Sequence, residues 1–246
     1  MSTAASSVSL PPPSSLARAT GWYREGFRLW RRAPFRLIGL GLALLVAEAI
    51  VQLLPLAGTV LSKALVPMLG VGLWIGLDQL DRGQPLRFAC LWAGWRHPRW
   101  LALWGLAATV GLSVFGLQVA CAAAVYGPVV WDGVVLGHMR SHPQLLTREL
   151  EYVLMLPGLV PATLLTLAAP LFLFNGNRAP AALVASLRLV TRHGLAFALA
   201  LLPQLALFAA ALSRPWLMPL LLLLLPLGTL LGFAAWRDLA PTPQAH

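Results

Sequence analysis

Charged residues are scarce in this chain and lysine is nearly missing. Asp, Glu, Lys and Arg together make up 11% of the 246 residues, and Lys63 is the single lysine among 18 basic residues. Soluble domains carry about a quarter charged residues, so this composition excludes a solvated shell around a soluble core. Cysteine is also rare. Cys90 lies in a polar segment and Cys121 in an apolar run, which excludes a disulfide scaffold and makes both small packing residues. The sequence has no phosphate-binding Gly loop with Lys, no HExxH, no nucleophile elbow and no dinucleotide fingerprint. Hydrolase, ATPase and dehydrogenase readings lose their support. The expectation is a non-enzymatic protein with no metal and no cofactor.

What the chain does have is apolar residues, 59% of the total, gathered into runs of membrane-crossing length. Six runs can be drawn, at about 35–54, 60–80, 101–125, 153–174, 195–212 and 216–236. The net charge of +10 falls between these runs. A nucleic-acid surface needs its charge on one solvated face, so no nucleic acid is expected and anionic lipid headgroups are the expected partner. The Ser-, Ala- and Pro-rich start lacks the charged and apolar regions of a signal peptide. Residues 1–19 read as a disordered cytoplasmic tail, 20–240 as a membrane domain and 241–246 as a second tail.

The runs are introduced by three basic, aromatic elbows. The first, Arg28 Leu29 Trp30 Arg31 Arg32 Ala33 Pro34, follows a helical pattern in which Tyr23, Phe27 and Trp30 share a face opposite arginines, as in an interfacial helix whose aromatic side enters the headgroup region. The second is Trp95 Arg96 His97 Pro98 Arg99 Trp100, and the third runs from Arg188 to Leu195. Shifting the first by 64 aligns Arg32 with Arg96 and Pro34 with Pro98; shifting it by 160 aligns Arg28 with Arg188 and Arg32 with Arg192. The fold expected is therefore an all-α membrane bundle of six transmembrane helices in three hairpins, each hairpin preceded by a short amphipathic interfacial helix.

Basic residues fix the orientation. Fourteen lie on one side of this map, in the tail, the three elbows and at Arg237. The other side holds Lys63, Arg140, Arg148 and Arg214. The positive-inside rule places both termini in the cytoplasm. Tryptophans fall at the interfaces except Trp74 and Trp104, which lie within runs and read as packing residues.

Five short segments carry a resemblance: Glu25 Gly26 Phe27 Arg28 Leu29 Trp30 Arg31 Arg32 Ala33 Pro34, Leu80 Asp81 Arg82 Gly83 Gln84 Pro85, Ala93 Gly94 Trp95 Arg96, Ser186 Leu187 Arg188, and Trp236 Arg237 Asp238 Leu239. Over about residues 20–240 the chain resembles a family of six-span bacterial inner-membrane proteins, loosely similar to the membrane domain of some glycerophosphodiester phosphodiesterases. That resemblance implies an inner-membrane location and lipid headgroups as ligands. It supplies no catalytic residues.

Three constellations merit structural comparison. The elbow arginines Arg28, Arg32, Arg96, Arg188 and Arg192 form a candidate lipid-binding collar, or serve only to set topology. Glu48 is a carboxylate near the middle of a run, where ionisation costs about 2.5–3.5 kcal/mol. Lys63 on the neighbouring run and Gln52 one turn away are its expected partners, in a structural pair or in an ion- or proton-coupling site of a small transporter. Outside, His138 and His142 lie near Asp132, Glu149 and Glu151 in a segment expected to be a solvated loop, with weak metal-ligand spacing. Asp78 and Asp81 are expected to meet Arg82 or Arg87. Pro157, Pro161 and Pro170 predict a bent fourth span whose freed carbonyls are met by neighbours. The function expected is that of a membrane protein binding lipid or partner proteins.

Overall fold

The computed structural model describes residues 13–214, 216–217 and 221–240. It is helical throughout, with no strand among the described residues. Five segments are long and apolar enough to cross a membrane: Pro34–Gln52, Gly58–Asp81, Trp100–Tyr126, Glu149–Phe174 and Gly194–Ala211. The expected sixth run holds a further helix, Leu221–Leu239; the turn before it lies partly outside the described residues.

Helix α1 (Ser15–Arg32) is capped by Ser14, whose Oγ accepts from Ala17 N at 3.3 Å. This places its start inside the segment 1–19 assigned to a tail. The correction covers Ser15–Ala19, and residues 1–12 lie outside the described residues. Ala33 breaks the helix at φ −153°, ψ 54°, because a residue before proline is pushed away from the α region. Pro34 then opens α2 (Pro34–Gln52) at the position where its missing N–H costs nothing. A short turn leads into α3 (Gly58–Asp81) and completes a tight hairpin.

The second elbow is not an interfacial α-helix. It consists of two short 3-10 turns, Phe88–Trp92 and Gly94–Arg96, held against α3. The close approach explains the difference: a Cβ on Gly76 would sit 2.8 Å from both Cys90 Sγ and Leu86 Cδ1. With backbone and Cys90 drawn this tightly onto α3, and Pro85 and Pro98 on either side, a full amphipathic helix has no room. Both cysteines are free thiols, and burial pushes the Cys90 thiol up to about 11, so it stays protonated.

Helix α4 (Trp100–Tyr126) returns to the far end. Trp104 on it donates from Nε1 to Ala64 O at 3.1 Å, and Trp74 packs near Phe233 with ring centroids 6.3 Å apart. Both within-run tryptophans are packing residues. The excursion after α4 contains a π turn, Trp131–Val135, and two 3-10 turns, Met139–Ser141 and Pro143–Leu145. It is more than a solvated loop: Val130, Leu145 and Leu150 are buried with Phe115, Val119 and Ala122 in a small second core.

The proline-rich span breaks as its sequence requires. Helix α5 (Arg148–Leu164) starts on the Thr147 cap and stops, and α6 (Ala168–Phe174) resumes after a three-residue gap. The buried hydroxyl of Ser186, on α7 (Ala179–Arg192), bridges the gap. Its Oγ donates to Leu164 O at 2.8 Å and accepts from Leu167 N at 3.1 Å. Helices α8 (Gly194–Ser213) and α9 (Leu221–Leu239) close the bundle, with α1 laid across both.

Candidate functional site

One end of the bundle gathers the elbows and the ends of α3, α6 and α9. Arg28 donates to Glu25 at 2.6 Å and to Asp81 at 2.5 Å, and Arg237 pairs with Asp81 and lies 3.5 Å from Glu25. Arg32 donates to the Leu80 and Asp81 carbonyls at 3.1 and 3.2 Å, at the end of α3, where Leu80 O also accepts from Gly83 N at 3.1 Å. Beside this knot, Arg18 pairs with Asp238 at 2.8 Å, and Trp22 Nε1 donates to the same carboxylate at 3.0 Å. The Arg28 guanidinium, through its hydrogen bond, holds the Glu25 carboxyl below the usual range.

The assignment of Asp81 to Arg82 or Arg87 is thereby corrected: Asp78 pairs with Arg82 at 3.0 Å, whereas Asp81 serves α1 and α9. The helix end points Asp81 back across the bundle, out of reach of the residues that follow it. The aromatic face of α1 is also corrected in part. Tyr23 turns into the protein, donating to Ala200 O at 2.7 Å, and Trp22 packs against Phe197 with ring centroids 4.8 Å apart and planes tilted by 52°, while Phe27 stays exposed.

The arginines of this end divide into two groups. Arg18, Arg28, Arg32, Arg36, Arg82, Arg99 and Arg237 bond to protein; Arg99, for instance, donates to Phe172 O at 3.2 Å and lies over the Phe172 ring at 4.4 Å. Arg24, Arg31, Arg87, Arg96, Arg178, Arg188 and Arg192 are exposed and have no hydrogen bond or ion pair within the described residues. Of the five collar residues, Arg28 and Arg32 are therefore committed to the fold, and Arg96, Arg188 and Arg192 are available. The third elbow sits beside α1: burial and the charges of Arg18 and Arg192 push His193 below its ordinary value.

Two of the available arginines share a cleft. Arg87 and Arg96 line a recess of about 530 Å³ between the end of α3 and the second elbow, together with Gln79 and Gln84. Two cations without counter-charges, flanked by two amides, form an anion-binding geometry. For pairing with Asp78 or Asp81, neither sequence position nor spacing distinguishes Arg87 from Arg82. The signal that separates them is the turn at Gly83, φ 82°, which reverses the chain between the two.

The polar residues of the first hairpin meet at its other end. Lys63 Nζ pairs with Glu48, Gln52 Nε2 donates to Glu48 Oε1 at 3.1 Å, and Ser62 Oγ lies 3.4 Å from Gln52. The Glu48 and Lys63 side chains are each 28% exposed. The pair is compensated as it stands. Changing Glu48→Gln or Lys63→Met alone should each cost about 1–2 kcal/mol, and the double variant should recover most of it. Detergent unfolding of the three proteins checks the cycle; simple additivity would refute a coupled pair.

On the excursion, Asp132 binds both imidazoles, His138 Nδ1 at 2.9 Å and His142 Nε2 at 2.5 Å. Glu149 and Glu151 stay in the exposed first turn of α5, and no group of three potential metal ligands converges within the described residues. The hydrogen bonds from His142 and then His138 hold the Asp132 carboxyl below its usual range. A depressed carboxylate stabilises the fold above its unfolded pKa, and that contribution disappears as pH falls through the folded value. Carboxyl-carbon NMR should therefore show Asp132 titrating below an ordinary aspartate. The midpoint should rise in His138→Ala/His142→Ala, and an unchanged midpoint would refute the assignment.

These features define a class: a protein helical throughout its described residues, with five segments long and apolar enough to cross a membrane, an ion network and a basic cleft at one end. Comparison with family models, with curated proteins and with solved structures finds no match for this chain.

Proposed function

We propose that this chain is a six-span protein of the bacterial inner membrane, with both termini cytoplasmic, that holds anionic lipid headgroups at its cytoplasmic face and performs no covalent chemistry. The observation that carries the reading is the cleft with Arg87 and Arg96, two exposed guanidiniums with no protein partner. An anion at a membrane surface is most often a lipid phosphate, and each basic residue near such a surface contributes about 1 kcal/mol. The unengaged Arg31, Arg178, Arg188 and Arg192 extend the same field beyond the cleft. The nineteen residues of α9 rise about 28 Å, enough for the sixth crossing, and three parallel hairpins follow from that count. The resemblance to the six-span inner-membrane family agrees with this location and with a lipid ligand.

The test uses full-length protein in nanodiscs of phosphatidylcholine with a minor share of phosphatidylglycerol, followed by native mass spectrometry of the lipid retained. Arg87→Gln/Arg96→Gln should lower retained phosphatidylglycerol by about tenfold or more, as the loss of two surface cations implies, with folding intact because neither residue bonds to the protein. Unchanged retention would leave these arginines a topogenic role only. Reporter fusions after Pro143 and after Asn177 should report the periplasm and the cytoplasm respectively. A cytoplasmic signal from the first would overturn the orientation.

A further inference from the structure

Between the helices lies a second space of opposite character. A cavity of about 820 Å³ runs among α2, α3, α4, α5, α8 and α9, and no charged residue lines it. Pro67, Gly70 and Trp74 of α3 form one wall and Val110 of α4 another, and small residues at Ala107, Ala162 and Gly228 leave the volume unfilled. Its size falls within the range of about 300–1,000 Å³ typical of ligand sites. Close-packed interiors do not leave such a space by default.

The mouth of the cavity identifies its occupant. Leu45 and Met155 line it and are also 37% and 46% exposed, so it opens sideways through apolar side chains of two segments long and apolar enough to cross a membrane. Hydrocarbon rather than water lies outside such an opening. A smaller recess of about 180 Å³ adjoins it, sharing Thr166 and Gly228 and lined also by Gln204 and Trp22. The space is thus an apolar slot with a lateral mouth.

We infer that this cavity takes one long alkyl chain of a membrane amphiphile, admitted sideways between α2 and α5. The inference rests on the membrane-embedded reading above and is independent of the arginine cleft. A chain seated there exchanges bilayer neighbours for protein ones, so selectivity comes from fit to the slot rather than from transfer out of water.

Gly70 supplies the test. A Cβ there meets nothing within 4 Å and Gly70 lines the cavity, so the side chain of Gly70→Leu starts in open space and extends into the slot. Gly116, equally unobstructed but exposed on α4, gives the matched control Gly116→Leu. Each protein is placed in phosphatidylcholine vesicles, which offer no net anionic headgroup. The probe is a phosphatidylcholine with a diazirine in its palmitoyl chain in one arm and diazirine-bearing palmitic acid in the other. After photolysis, peptide mass spectrometry should map wild-type adducts to the cavity wall around Val110, Met155 and Leu159. Those adducts should fall about tenfold or more in Gly70→Leu, because the leucine side chain takes the place of the alkyl chain and removes its packing contacts, and persist in Gly116→Leu. The arm that labels the wall identifies a phospholipid chain or a free fatty acid as the source. Equal wall labelling in all three proteins overturns the proposal. So does wild-type labelling confined to outward-facing residues such as Val160 and Leu202, a result that needs no variant to fold. Arg87→Gln/Arg96→Gln should leave wall labelling unchanged, so the two sites fail separately.

Discussion

Asp81→Asn should destabilise the protein by about 1–3 kcal/mol in a detergent unfolding experiment, while Asp78→Asn should stay within about 0.5 kcal/mol. The two aspartates are three residues apart on one helix, and the difference lies in what they hold. Asp81, 18% exposed, is shared by Arg28 and Arg237 and so ties α3 to α1 and α9. Asp78 pairs within its own turn with Arg82, which is 68% exposed. Breaking a fully buried pair costs about 3–5 kcal/mol, but Arg28 and Arg237 are more than a third exposed, and water recovers part of that cost. Removing the Asp81 charge, which pushes the Glu25 carboxyl up, should also deepen the depression of Glu25. Glu25 has a depressed carboxyl, so its stabilising contribution is present above the ordinary glutamate range and is lost as pH falls through the lower folded value. Once Asp81 no longer carries charge, Glu25 is the remaining carboxylate of the knot. Equal shifts for the two asparagine variants would refute the network as a structural tie.

Ser186→Ala should cost about 2 kcal/mol in the same assay, against less than about 0.5 kcal/mol for Thr191→Ala on the same helix. Thr191 is exposed and bonds only to its own preceding turn. Ser186 is fully buried and satisfies a carbonyl and an amide that the break between α5 and α6 has released. Hydrogen bonds between membrane helices average well under 1 kcal/mol because the separated helices find other partners. Here the unpaired groups are created by the break itself, and removing the hydroxyl strands both in apolar surroundings. Ser186→Cys, a weaker donor and acceptor of similar size, should fall between the two. A neutral Ser186→Ala would mean that the gap closes by some other route.

Local signals were the legible ones. Ala33 and Pro34 fix their hinge through the stereochemistry of two adjacent residues, and Pro157, Pro161 and Pro170 predict a bend, which the structure takes as a full break between α5 and α6. Glu48 and Lys63 were readable as neighbours because a short turn sets two helices antiparallel at a known rise. Partners set by tertiary docking were not readable. Asp81 finds Arg28 at a separation of 53 residues and Arg237 at 156, whereas Arg82 and Arg87 were nearer in sequence. The division of arginines into bonded and available depends on such docking, so Arg87 and Arg96 could not be grouped beforehand. The second elbow shared arginine and proline with the first, yet its backbone follows Gly72 and Gly76, which lie on another helix. The excursion core was hidden for a different reason: Val130, Leu145 and Leu150 are spaced with neither helical nor strand periodicity.

The ion knot also constrains the order of assembly. Chains are made from the amino terminus, so Arg28 and Asp81 can meet as soon as the first hairpin has formed. Arg237 and Asp238 are synthesised more than 150 residues after Asp81 and must then dock against Asp81 and Arg18, closing the bundle back onto α1. Until α9 is in place, Trp22 Nε1 and Arg18 lack their acceptor and Asp81 has one partner instead of two. The final helix thus acts as a latch that supplies the missing partners of Asp81, Arg18 and Trp22.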